Sequence, residues 1–193
     1  EIAQCLVGSE MCIRDSLTGT YAAVCALRML DMAGIDFENT EVCAMITDGE
    51  EAGLRGCKQW AKDHYDEYVN SGVETAVLCV DTLADLEYLR VYNKDMTGTV
   101  KNNQQFSQLV MDSAKDSGHN DLEFSSVYFG SSDAAAFSQA GITATCLAAM
   151  DPKPADYYHN RRDTAERLVP EAIKTGFDVI ISTILNFDEK GLN

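Results

Sequence analysis

The feature that most limits what this chain can fold into is the alternation, from Leu17 onward, of short apolar runs with longer stretches of helical spacing. Residues 41–47, 75–80, 86–92, 123–129 and 142–148 read as extended. Between them, residues 20–32, 52–68, 103–115 and 133–139 read as helices, the first ending before Gly34 as at a glycine cap. A last helix places Ile173, Phe177, Ile180, Ile181 and Ile184 on one face, with Pro170 in its first turn. Asp163, Thr164, Ala165 and Glu166 ahead of it have the form of a capping box. Strands alternating with helices are the rhythm of an α/β domain, in which helices cover the faces of a sheet.

Composition narrows the range of functions. In 193 residues, 46% of them hydrophobic, there is apolar material for one well-buried domain and no break suggesting two. Acidic residues outnumber basic ones 31 to 15, which argues against a nucleic-acid partner, because a polyanion is bound by cations that displace its counterions. A small cationic or metal-bound ligand suits the charge better. The seven cysteines (Cys5, Cys12, Cys25, Cys43, Cys57, Cys79 and Cys146) are scattered, several within apolar runs, and read as free thiols. They favour a cytoplasmic location, with secretion left open. The longest weakly polar run, residues 140–150, is too short for a membrane span and holds two threonines and a glycine, so no membrane partner is expected.

Four polar clusters fall where these elements begin or end: Asp15, the pair Glu50-Glu51, Asp81 and His159. Carboxylates with one imidazole are the donors a zinc site uses. Singly, each has an ordinary explanation as a cap, turn or surface residue. Together they sit among three motifs. The first is Thr47-Asp48-Gly49-Glu50-Glu51-Ala52-Gly53-Leu54-Arg55-Gly56. The second is Ser132-Asp133 followed by Phe137 and Ala140-Gly141-Ile142. The third is Tyr158-His159, then Asp163-Thr164, then Leu168.

In these motifs the chain resembles the di-zinc, co-catalytic aminopeptidase family of metallopeptidases. The resemblance implies a three-layer α/β/α sandwich around a mixed, mostly parallel sheet. It implies that Glu50 is the general base, that Glu51 and His159 bind one zinc and that Asp81 binds another. Asp15, in Asp15-Ser16-Leu17-Thr18-Gly19, matches the family's metal-bridging Asp-x-x-Ser/Thr-Gly turn. Tyr158 would hydrogen-bond the oxyanion, ordinary packing being the alternative. Asp133 would support a ligand from behind, help bind a substrate's α-ammonium, or cap its helix. The implied substrate is a peptide, and the implied cofactor is zinc, two ions in a full-length parent.

Two departures qualify that expectation. The segment from Glu10 to Asp15 resembles the conceptual translation of a transposase adapter used in sequencing libraries, so residues 1–15 read as non-native and 16–193 as the C-terminal part of one zinc-exopeptidase catalytic domain. The family's upstream His-x-Asp segment is also missing, since no histidine precedes Asp15. His64 and His119 read as solvent-facing and do not replace it. One zinc or none is therefore expected in this chain, with impaired activity. Alternatives within the fold are a carboxypeptidase or deacylase, with Arg161 and Arg162 to meet a carboxylate, and a single-zinc, glutaminyl-cyclase-like acyltransferase. Outside enzymes, the alternative is a metal-free binding domain.

Overall fold

The structure, a computed structural model, describes residues 13–151, 153 and 157–192; the side chain of Asp15, together with Cys5 and Cys12, lies outside the described residues. A single π turn, Ile13–Leu17, leads into α1 (Thr18–Met32). Then follow α2 (Arg55–Asp63), α3 (Tyr65–Tyr68), β1 (Ala76–Val80), β2 (Leu89–Asp95), β3 (Val100–Lys101) and α4 (Gln104–Asp116). The chain ends with β4 (Phe124–Ser126), α5 (Asp133–Gln139), β5 (Thr143–Ala149), a 3-10 turn at Ala165–Arg167 and α6 (Pro170–Lys190).

The sheet runs β1-β5-β2-β3, with β4 also paired to β2. It is mixed. β1 pairs β5 in parallel, from Ala76 opposite Thr143 to Val80 opposite Leu147, and β4 pairs β2 in parallel. β2 is antiparallel to both β5 and β3.

Six of the seven residues of β5 are buried, which explains why its sequence is a run of small, weakly polar residues instead of an alternation: helices cover both of its faces. Alternate residues then serve two cores. Leu147 joins Val91, Ala22 and Ala26 of α1, Val110 of α4 and Val179 of α6 on one side. Ala144, Cys146 and Ala148 join Cys57 and Ala61 of α2 and Ala135 and Phe137 of α5 on the other. This is the expected three-layer arrangement.

Two close approaches fix the ends of elements near the site. A Cβ on Gly19 would run into the Val80 carbonyl oxygen and lie 2.6 Å from that of Asp81, so α1 meets the carboxyl end of β1 only because residue 19 has no side chain. Beside it, the Thr18 hydroxyl donates to the Arg14 carbonyl at 2.9 Å and accepts the Leu83 amide at 2.9 Å. The second approach, at Gly56, shapes the site itself and is described below.

Several boundaries differ from the sequence expectations. Residues 41–47 form no strand: among the described residues they have no ladder partner, and Ile46 is exposed. An apolar run of strand length is only a strand when an edge receives it. The helix expected over 52–68 starts at Arg55, because Gly53 and Leu54 both have positive φ, and it breaks at His64 into α2 and α3. The strand expected over 86–92 is shifted to Leu89–Asp95, and that over 123–129 shrinks to Phe124–Ser126.

The expected capping box is not formed. Thr164 is the cap of the short turn, its side chain bonding Glu166 and no backbone amide, and Asp163 is buried, its carboxylate accepting the Arg14 amide at 3.0 Å. His119 is not a free surface residue either: its Nε2 lies 3.1 Å from Asp178 Oδ2, tying the end of α4 to α6. The helix expected from residue 103 does form, with the Asn103 side chain accepting the Phe106 amide at 2.9 Å. Among the described residues no helix is long and apolar enough to cross a membrane.

Candidate functional site

The adjacent glutamates sit in a turn held by its own backbone. The Glu50 carbonyl accepts the amides of Gly53 (2.9 Å) and Leu54 (2.8 Å), and the Gly49 carbonyl accepts those of Ala52 (3.2 Å) and Arg55 (3.1 Å). The Asp48 carbonyl accepts the Gly56 amide at 3.0 Å, and a Cβ on Gly56 would lie 2.5 Å from that same oxygen. Leu54 closes the turn at φ 59°, a conformation unfavourable for a branched apolar residue, while its side chain is buried in the core. The burial of Leu54 thus offsets the strain that bends the chain into α2.

A second anchor comes from α5, which packs beside α2 on the same face of the sheet. Asp133, the first residue of α5, accepts the Thr47 hydroxyl at 2.5 Å through one carboxylate oxygen and the Cys57 thiol at 2.8 Å through the other. Burial, and then the Asp133 carboxylate, push the Cys57 thiol far above its ordinary value, so it stays protonated and donates. Asp133 is placed in turn by its neighbour. The Ser132 amide and hydroxyl donate to the fully buried Asp95 at 3.0 and 2.6 Å, and Asp95 also accepts the Met96 amide at 2.7 Å. Burial raises the Asp95 carboxyl above its ordinary value, against these hydrogen bonds, which lower it.

Because β1 and β5 are parallel, the segments that leave them share one edge of the sheet, where α/β proteins place their sites. The segment after β5 delivers Tyr158 and His159. His159 takes φ 52°, and its Nε2 lies 2.6 Å from Glu51 Oε1, with both side chains partly exposed. The Tyr158 ring stacks on the imidazole with centroids 3.8 Å apart. Asp81 follows β1, its Oδ1 accepting the Thr82 amide at 2.7 Å and hydroxyl at 3.2 Å. Arg161 and Arg162 are exposed beyond His159.

Of the residues named from the sequence, the structure therefore brings Glu51 and His159 into direct contact, with Tyr158 on the imidazole and Glu50 next to Glu51 in the same turn. An imidazole nitrogen and a carboxylate oxygen are donors of the type zinc takes; here they meet each other directly, and the two would have to part to roughly 3.3 Å to share one tetrahedral ion. Among the described residues no three His, Cys, Asp or Glu side chains converge to hold a metal ion. Cys57 and Asp95 were not singled out by sequence as site residues, and Thr47 and Ser132 entered only as motif members without a role. Thr47 and Ser132 each open a motif immediately before an aspartate, but their hydrogen bonds to Asp133 and Asp95 emerge only once the fold is known.

The chain matches peptidase family M28 over residues 7–184. Its fold is similar to that of the LapA aminopeptidase of Legionella pneumophila (TM-score 0.72, 15% identity, 92% of this chain and 47% of that one). It is also similar to BSAP, a zinc aminopeptidase from Bacillus subtilis (TM-score 0.64, 19% identity, 90% and 41%). A glutaminyl cyclase from an Acidobacteriales bacterium shares it too (TM-score 0.56, 18% identity, 72% and 47%). The chain spans less than half the length of each of these solved structures. No curated protein sequence matches it.

Proposed function

The chain belongs to peptidase family M28, and from that premise we propose an aminopeptidase site in which Glu50 is the general base and Glu51 and His159 hold zinc. The observation that carries the reading is the 2.6 Å contact between Glu51 and His159, with Glu50 next to it in a tight turn. Zinc held there supplies acidity to a water molecule and polarises the carbonyl to be attacked. Asp81 is proposed as a ligand of a second ion and Asp15 as the residue bridging the two.

The chain's own groups then divide the work. Glu50 removes the proton of the attacking water as its oxygen bonds to the peptide carbon, and gives that proton to the amine as the carbon–nitrogen bond breaks. The Tyr158 hydroxyl donates to the oxyanion formed in between, with its ring held against the imidazole. The acidic surplus of the chain favours a substrate with a free α-ammonium group.

The test compares aminoacyl p-nitroanilides with their N-acetylated forms, with zinc added. The reading expects cleavage of the free amines only, and a loss of about 10²–10⁴-fold in Glu50→Gln. Equal cleavage of the blocked substrates defeats the aminopeptidase assignment.

A further inference from the structure

We infer that Asp133 is a positioning residue, the clasp that holds the Glu50-Glu51 turn in register with His159 by gripping it at both ends; this rests on the aminopeptidase reading for its functional consequence. The turn between Asp48 and Gly56 is closed by backbone hydrogen bonds, with Lys58 Nζ donating to the Gly53 carbonyl at 3.0 Å and the Cys57 sulfur also 3.2 Å from the Leu54 carbonyl oxygen, and it carries two charged, partly exposed side chains. The backbone bonds set the turn's shape; its place relative to the segment after β5 depends on contacts beyond the turn, of which Glu51 with His159 is one. Thr47 precedes the turn and Cys57 follows it, and the two carboxylate oxygens of Asp133 take one hydrogen bond from each.

Asp133 lies on the first turn of α5, and α5 leads directly into β5, the strand whose outgoing segment carries His159. The clasp therefore references Glu50 and Glu51 to the same element that positions His159. It is itself fixed from behind, since Ser132 is held by the buried Asp95 through its amide and its hydroxyl. With one oxygen committed to Thr47 and the other to Cys57, Asp133 is engaged behind the turn, which favours support over direct contact with a substrate's ammonium.

Thr47→Val keeps the side chain's shape and removes the hydroxyl; Thr47→Ser keeps the hydroxyl. Cys57→Ala and Cys57→Ser form the same contrast at the other end. The two pairs are made separately, so a variant that misfolds at one position leaves the other decisive. Amide hydrogen exchange at Leu54, Arg55 and Gly56 is measured in the whole chain, alongside zinc affinity by titration calorimetry.

Thr47→Val and Cys57→Ala are expected to exchange at least about tenfold faster at those amides and to bind zinc about 10–100-fold more weakly, while the serine variants stay near the parent. Unchanged exchange in both Thr47→Val and Cys57→Ala overturns the inference. If the parent chain takes up no zinc yet shows the expected exchange, the clasp stands and the zinc reading falls. If zinc binds and exchange is unaltered, the reverse holds.

Discussion

Gly56→Ala sets local propensity against packing with opposite signs. Gly56 is the second residue of α2, where alanine is the better helix former by up to about 1 kcal/mol. On that ground alone the variant gains stability. In the fold, however, the new methyl carbon stands 2.5 Å from the Asp48 carbonyl oxygen and 2.9 Å from its amide nitrogen, both backbone atoms that no rotamer change can move aside. Forcing a methyl into a filled site costs about 1–3 kcal/mol. Parting Gly56 from Asp48 also gives up their 3.0 Å hydrogen bond, worth about 1 kcal/mol. The balance is a net loss of about 1–3 kcal/mol. In a chain of this size each kcal/mol lowers Tm by about 2–4 °C, well within the reach of calorimetry or urea titration. A variant as stable as the parent, or more so, refutes the claim that the turn is packed directly against α2.

Other consequences follow from single residues. The buried Asp95 holds its proton more tightly when folded than when unfolded, so its contribution to stability is largest below the ordinary carboxylate pKa and falls as pH rises through the folded one. Asp95→Asn removes that decline, and subtracting its urea-derived stability from the parent's across the acidic range should give a curve that falls with pH; a curve that rises contradicts the burial argument. Leu147→Ala empties a fully buried position on the middle of β5 and should cost about 2–5 kcal/mol in a denaturant titration, against which a cost below 1 kcal/mol would show that the core collapses there.

What the sequence made legible was whatever depends on one segment at a time. The helical spacing of Ile173, Phe177, Ile180, Ile181 and Ile184 and the asparagine ahead of α4 act locally, and both elements form. The run at 41–47 failed as a strand because pairing requires a second segment that no local pattern specifies. The glutamate pair and His159 were recognisable by motif. The bonds from Thr47 and Cys57 to Asp133 were not, since they join residues 86 and 76 positions apart through a turn whose shape depends on left-handed Leu54. For the same reason Gly19 reads in the sequence as the glycine of a turn motif, and only the fold shows it inside α1 and pressed against the end of β1.

The central claim separates two neighbouring carboxylates by role, and calorimetric zinc titration of three single variants tests that separation most directly. The account predicts that Glu51→Gln and His159→Ala each abolish the zinc uptake of the parent chain, while Glu50→Gln retains it. Loss of zinc in Glu50→Gln together with retention in Glu51→Gln would contradict it.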